Sequence, residues 1–264
     1  MPKPRRLKSV TTILLVAALA SVVFISAALS RSNANHDTKS ILSKNDPSKA
    51  QGQSTAQKEF EKIKQQFPKV DYDSPEPVEP AERAKRRNKG KNFDNGFISK
   101  KPTHQSSSLS NHWDLGLPAL PLAQSDVVLI ANTLSRKAFL SNDKSGVYTE
   151  TSIRIEEVIK GETSSVAKDN QIDIYRTGGV VRYATGEESL FQIVGQNMPL
   201  AGKRYLFFLK AIPDSTDYKI ITGYELSDFG VKALDTPSQF SEFNGLDESS
   251  FLFKVRNTIA QQRP

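Results

Sequence analysis

Cysteine is absent from the 264 residues, and histidine occurs only three times. The first absence excludes a disulfide scaffold, a thiolate zinc site, a thiol nucleophile and an iron–sulfur cluster. The second leaves little room for a histidine-rich metal centre. No loop carries the spaced acidic pattern of a calcium site. A glycine-rich phosphate loop and strand–helix alternation are also missing, which argues against a nucleotide-binding α/β fold. The reading therefore assigns no metal and no cofactor.

The net charge of +7 is unevenly spread. Residues 1–29 carry +4, residues 30–110 carry +6 and residues 111–264 carry −3. A nucleic-acid-binding domain needs its own basic face, so no nucleic-acid partner is expected.

Behind the basic residues Lys3, Arg5, Arg6 and Lys8, the run Val10–Leu29 has no charge and is rich in Leu, Val, Ile and Ala. Residues 1–29 read as a signal peptide or signal anchor. The length suits a membrane span better than a signal-peptide core, although Ser32-Asn33-Ala34 offers small residues for cleavage. The charge asymmetry places the rest of the chain outside the cytoplasm. The expected partner of Val10–Leu29 is the membrane. The protein is expected to be exported, held by a single pass in the inner or plasma membrane, or secreted if cleaved near Ala34.

Residues 30–110 are polar, with a proline-punctuated stretch at 75–80 and a basic cluster from Arg83 to Lys91. Too few apolar residues are present to bury a core, so the segment reads as a disordered polar and basic linker. Phe60, Ile63 and Phe67 recur at helical spacing, as in a transient amphipathic helix.

From residue 111 the texture becomes that of a β-rich domain running to 264. Asp126–Leu134 is apolar at successive positions, as a strand buried on both faces is. Val147–Ile159 alternates until Glu156-Glu157 breaks the phase, where a bulge would return Val158 to the inner face. Gln171–Arg176, Val181–Ala184, Leu190–Val194, Arg204–Lys210, Tyr218–Leu226 and Phe229–Leu234 follow as strands. Gly178-Gly179 reads as a two-residue hairpin loop, which would place Arg176 opposite Val181 and Tyr175 opposite Arg182. Asp247 suits an N-cap, Leu246 can staple onto Phe251, and Leu252, Val255 and Ile259 mark a terminal amphipathic helix. The expected fold is mainly β: a small antiparallel β-barrel or sandwich with a C-terminal helix, preceded by the N-terminal apolar helix and the linker.

The run SDVVLIANTLSRKAFLSNDKSGVYTETSIRIEEVIKG, followed by YRTGGVVR, GQNMPLAGKRYLFFLK and ITGYEL, resembles a group of uncharacterised exported bacterial proteins over roughly the last 150 residues. The order of long hairpin, Gly-Gly turn, G-x-R-Y-x-x-F-L strand and terminal helix also resembles oligonucleotide/oligosaccharide-binding (OB-like) barrels, nearest the netrin and metalloproteinase-inhibitor branch. Those inhibitors depend on an N-terminal cysteine and on disulfides, which this chain lacks. The resemblance therefore implies the barrel shape alone.

No catalytic residue is assigned. The one histidine within residues 111–264, His112, lies at the domain boundary and lacks the enclosed setting a general base needs. Adjacent Glu187 and Glu188 would point to opposite faces of a strand. The candidate ligand-binding residues are Tyr175, Arg176, Arg182, Gln192, Gln196 and Asn197. Arginines and an aromatic on a barrel rim suit a carboxylate, phosphate or sugar. The same arginines also suit a rim salt bridge and a cross-strand stack. Tyr205, Phe207, Phe208 and Tyr224 read as core. The expected function is an envelope-anchored or exported non-enzymatic binding module, with a cell-envelope protein or polymer as partner. The alternative is a secreted carboxylate- or metal-dependent hydrolase.

Overall fold

The computed structural model describes residues 61–98, 113–213 and 215–262, with isolated Lys58 and the backbone of 107–109. Val10–Leu29, the cleavage candidate at Ala34 and His112 lie outside the described residues. No helix among the described residues is long and apolar enough to cross a membrane.

The strands are β1 (Lys69–Asp71), β2 (Ser107–Leu109), β3 (Val127–Leu140), β4 (Val147–Lys160), β5 (Gln171–Thr177), β6 (Gly179–Arg182), β7 (Glu188–Ile193), β8 (Arg204–Ala211), β9 (Tyr218–Ser227) and β10 (Gly230–Ala233). The helices α1 (Pro80–Gly90) and α2 (Glu248–Gln262) accompany them. Among the described residues the fold is mainly β and holds two sheets. One has the order β1-β6-β7-β2, and the other has six strands in the order β10-β9-β5-β4-β3-β8. A further pairing joins β8 to β9.

Strand periodicity explains the core. Val127, Leu129 and Ala131 point to one side of β3, joining Ile153, Ile155, Ile174, Tyr205, Phe207 and Leu209. Val128 and Ile130 point to the other side, where Leu206, Phe208 and Tyr224 meet α2 through Phe251, Leu252 and Val255. The two-sided apolar character of 126–134 thus serves two core layers. Burying each of these large side chains contributes about 1.5–3 kcal/mol.

The bulge at the glutamate pair is present. Ile130 faces Glu157 and Ala131 faces Ile155, leaving Glu156 as the extra residue. Val158 consequently joins the same core as Ile153 and Ile155. Glu156 bonds to Arg204 at 2.5 Å, and Arg204 reaches Glu248 at the start of α2 at 2.6 Å. Glu157 pairs with Arg256 at 2.8 Å. Asp247 caps α2, its carboxylate accepting from the Ser250 N–H at 2.9 Å.

Two expectations are corrected. The disordered linker does not extend through 61–98. Phe67 is buried against Val180, Leu190 and Met198, and Ile98 sits in a cluster with Ala138, Val147 and Phe191. Phe93 stacks on Tyr148 with centroids 4.2 Å apart. A few apolar side chains spaced along a polar segment cannot form a core alone, but they can complete one that the strands have already built. The domain therefore draws on residues well before 111.

The second correction concerns Gly178-Gly179. Strand β5 pairs with β4 and β9, whereas β6 pairs with β7 and β1. The two glycines carry the chain from one sheet to the other, and the expected pairs Arg176–Val181 and Tyr175–Arg182 do not form. Gly178 has φ +124°, and a Cβ on Gly179 would lie 2.8 Å from Val147 Cγ2. Glycine is needed there for a close crossing. The actual hairpin joins β6 to β7 through a turn closed by the Tyr183 N–H and the Glu187 carbonyl at 2.9 Å.

Candidate functional site

Pro80 supplies a fixed φ at the first turn of α1, Glu82 lies in that turn, and Arg87 and Lys89 occupy the last one. This order suits the helix dipole and the missing proline N–H. Thus the proline-punctuated stretch at 75–80 ends by starting a helix. Arg83 fixes the approach by donating to the Pro77 and Val78 carbonyls, both at 2.9 Å.

Helix α1 lies over the outer face of β4 and β5. Period-two geometry places Asp173 and Tyr175 on one face of β5. Register sets Glu150 opposite Tyr175 and Ser152 opposite Asp173. Strand β9 begins parallel to β5, with Ile174 facing Tyr218. The turn leading into β9 therefore brings Asp217 beside Tyr175.

Lys89 enters this arrangement from α1, where only it and Gly90 are buried. Its Nζ donates to the Tyr175 hydroxyl and lies 4.7 Å from that ring's centroid. Glu150, Asp173 and Asp217 carboxylates lie 3.4, 3.7 and 3.8 Å from Nζ. The Tyr175 hydroxyl donates to Asp217 at 3.4 Å. Burial, followed by the charges of Glu150, Asp217 and Asp173, pushes the Tyr175 hydroxyl far above the ordinary tyrosine value. It is therefore a neutral hydrogen-bonding group. Arg86 completes the contact: its guanidinium carbon sits 3.3 Å from the Phe139 ring centroid, and Nη1 reaches Glu150 at 3.2 Å.

Beside this cluster a cleft of about 400 Å³ is lined by Lys85, Asn88, Lys89, Lys91, Ser215, Thr216 and Asp217. Lys85 and Lys91 are exposed. Among the described residues neither has an ion-pair partner. Donor side chains from α1, the turn after it and the β8–β9 turn thus converge on one concave surface. Among the described residues no group of three His, Asp or Glu side chains is arranged to hold a metal.

The six residues proposed from sequence do not form a single site. Tyr175 belongs to the Lys89 cluster. Arg176 and Asn197 come together elsewhere. Arg176 is fully buried, pairs with Asp235 at 2.7 and 2.9 Å, and donates to the Asn197 carbonyl at 2.5 Å. The Asn197 N–H donates back to Asp235 at 3.0 Å. Gln196 is buried next to it. Gln192 is half-buried on β7. Arg182 is exposed on the other sheet and pairs with Asp71 at 2.6 Å.

Sequence reasoning missed Lys89, Glu150, Asp173 and Asp217. Lys89 was hidden inside a basic run that read as solvated spacer. The alternation in β4 and β5 could have placed Glu150 and Asp173 on outer faces, but their meeting depends on register between strands. A scan against protein-family models finds no match for this chain, and a search of curated proteins likewise returns none.

Proposed function

We propose that the chain is an exported, non-enzymatic binding module built on an OB-like barrel, and that its cleft receives a ligand rich in oxygen acceptors. Support for the barrel comes from the pairing cycle β3–β4–β5–β9–β8–β3, in which only β5–β9 is parallel. Support for export comes from the charge-free run behind a basic start, and for envelope attachment from its length. The observation that carries the binding reading is the cleft. Lys85 and Lys91, without an ion-pair partner among the described residues, line one concavity with the Asn88 amide, the Ser215 and Thr216 hydroxyls, and Lys89 beside the Asp217 carboxylate, which leaves an excess of positive charge. Such donors suit the carboxylates, phosphates or sugar hydroxyls of an acidic cell-envelope polymer.

The test is calorimetric titration of the full chain with short polyphosphate and oligoglucuronate, beside a K85E/K91E variant. Loss of two charge-assisted hydrogen bonds, about 1.5–3 kcal/mol each, weakens binding by about a hundredfold or more. The thermal midpoint stays unchanged, because both lysines are exposed. Equal binding by wild type and variant, or none by either, overturns the reading.

One observation favours a second reading, a carboxylate-dependent hydrolase. Glu150, Asp173 and Asp217 converge within 4 Å of one point, the Lys89 Nζ. Turnover of a glycan or ester substrate that disappears in E150Q would establish it.

A further inference from the structure

Three carboxylates and a tyrosine ring surround one ammonium group. Lys89 is 6% exposed, although it sits on a helix whose other residues up to Asn88 face solvent or are half-buried. The charges around it do not balance. Glu150, Asp173 and Asp217 contribute three negative charges, Lys89 contributes one positive charge, and Arg86 shares Glu150. A net negative charge therefore remains at the cage. An aromatic face with nearby carboxylates is the chemistry that holds organic ammonium groups. The cage is therefore already occupied by such a group, supplied by the protein itself.

The segment carrying that group is tethered at both ends and polar between them. Upstream, β1 pairs with β6, and Val70 and Tyr72 pack on the core. Downstream, Phe93 stacks on Tyr148, and Phe97 and Ile98 pack with Phe191. Between these anchors α1 has no buried apolar residue and is held by ion pairs, carbonyl contacts and the Arg86–Phe139 stack. The exposed contacts among these, such as Arg87–Glu76, contribute little individually, so the buried Lys89 cluster is the main latch. Such a segment opens at lower cost than the strands beneath it.

We infer that the Glu150–Asp173–Asp217–Tyr175 cage is a binding site for a primary ammonium group, and that α1 is a lid whose Lys89 occupies it in the free protein. The external ligand is a primary alkylammonium group, the chemistry of Lys89 itself, which displaces Lys89 as α1 lifts. The cage shares Lys89 and Asp217 with the cleft wall, but its ammonium pocket is built on Glu150, Asp173 and Tyr175: loss of polyphosphate binding in K85E/K91E tests the cleft, whereas loss of the ammonium response in E150Q tests the cage.

The probe is n-butylammonium, with sodium chloride at equal ionic strength as control. The full-length K89A variant melts at a lower temperature than wild type. n-Butylammonium restores part of the loss, sodium does not, and K89A/E150Q shows no response. In wild type, hydrogen exchange at amides of 80–90 is faster than in β4 and β5, and it accelerates further with n-butylammonium. Should K89A fail to fold, the wild-type exchange experiment decides alone. An unresponsive K89A, or exchange at 80–90 that the amine leaves unchanged, overturns the proposal.

Discussion

Arg176 and Asp235 face each other with both side chains wholly excluded from solvent, joined by two N–H···O bonds of 2.7 and 2.9 Å. Asp235 also accepts from the Thr222 hydroxyl at 2.8 Å and from the Asn197 N–H. Arg176 gives a further bond to the Ile221 carbonyl at 2.8 Å. One ion pair thus ties β5, β9, the loop before β8 and the chain after β10. No ligand can reach it without opening the core.

Breaking a buried pair on one side leaves an uncompensated charge, at about 3–5 kcal/mol. R176A and D235A should each lose a large part of a stability that is about 5–15 kcal/mol for a typical domain. R176M/D235L, which removes both charges and keeps volume, should recover much of that loss. Urea unfolding of the three variants measures this. A double variant no more stable than the singles would show that the hydrogen bonds to Ile221 and Asn197 outweigh the charge pair. R182A should leave the urea midpoint nearly unchanged, because the Arg182–Asp71 pair is exposed.

Residues 111–264 alone should not form the native fold. They lack Phe67, Phe93, Phe97 and Ile98, which close two clusters of the core. Deleting a buried phenylalanine side chain such as Phe67 costs about 3–5 kcal/mol, so losing it together with buried Ile98 and half-buried Phe93 and Phe97 removes much of the usual margin. Thermal melts of 111–264 and of the full chain compare them directly. Matching midpoints would place the earlier segment outside the cooperative unit.

Gly178→Ala should destabilise the chain although it adds one methyl group. The φ of +124° suits glycine, and the new Cβ would lie 2.9 Å from Met198 Cε and 3.1 Å from the Phe191 carbonyl oxygen. Backbone strain of this kind costs about 1–3 kcal/mol. In an open hairpin tip the backbone strain would remain but these contacts would be absent, so the loss would be smaller. The urea midpoint of G178A distinguishes the two.

Acid should loosen two specific turns. Asp143 accepts from the Asn95 N–H at 2.9 Å and from Ser141 and Ser145 in the β3–β4 turn. These bonds, the Asn95 N–H first, hold its carboxyl well below the usual aspartate range. Asp247 is lowered to about 2, chiefly by the Ser249 hydroxyl and then by the Ser250 N–H. Both pKa values are depressed in the folded state. Their stabilising contributions are therefore fully present above the unfolded value near 4 and fade as pH falls through the folded values. D247N should keep the cap while flattening part of the stability decline between about pH 4 and 2. Thermal midpoints across that range for wild type and D247N provide the check.

Much of the secondary structure was legible in the sequence. The two-sided apolar pattern of 126–134, the bulge at Glu156, the Asp247 cap and the buried face of α2 follow from local periodicity and capping chemistry. Those rules act between residues close in the chain. The candidate site was not legible in the same way. Tyr175 was singled out for the right strand but with the wrong neighbours, because Gly178-Gly179 can serve either a tight turn or a crossing between sheets.

By itself the sequence determined the stretches that form β3 to β10, where the terminal helix begins, and that no cysteine chemistry is available. Tertiary structure decided that a basic run becomes a helix, that its Lys89 meets Glu150, Asp173 and Asp217, and that Arg176 is spent on an internal pair. The reason is physical. Strand formation is set by short-range backbone and side-chain preference, whereas these charges meet through strand register, the β5–β9 pairing and the seating of α1. Each of those depends on core packing between residues far apart in the chain.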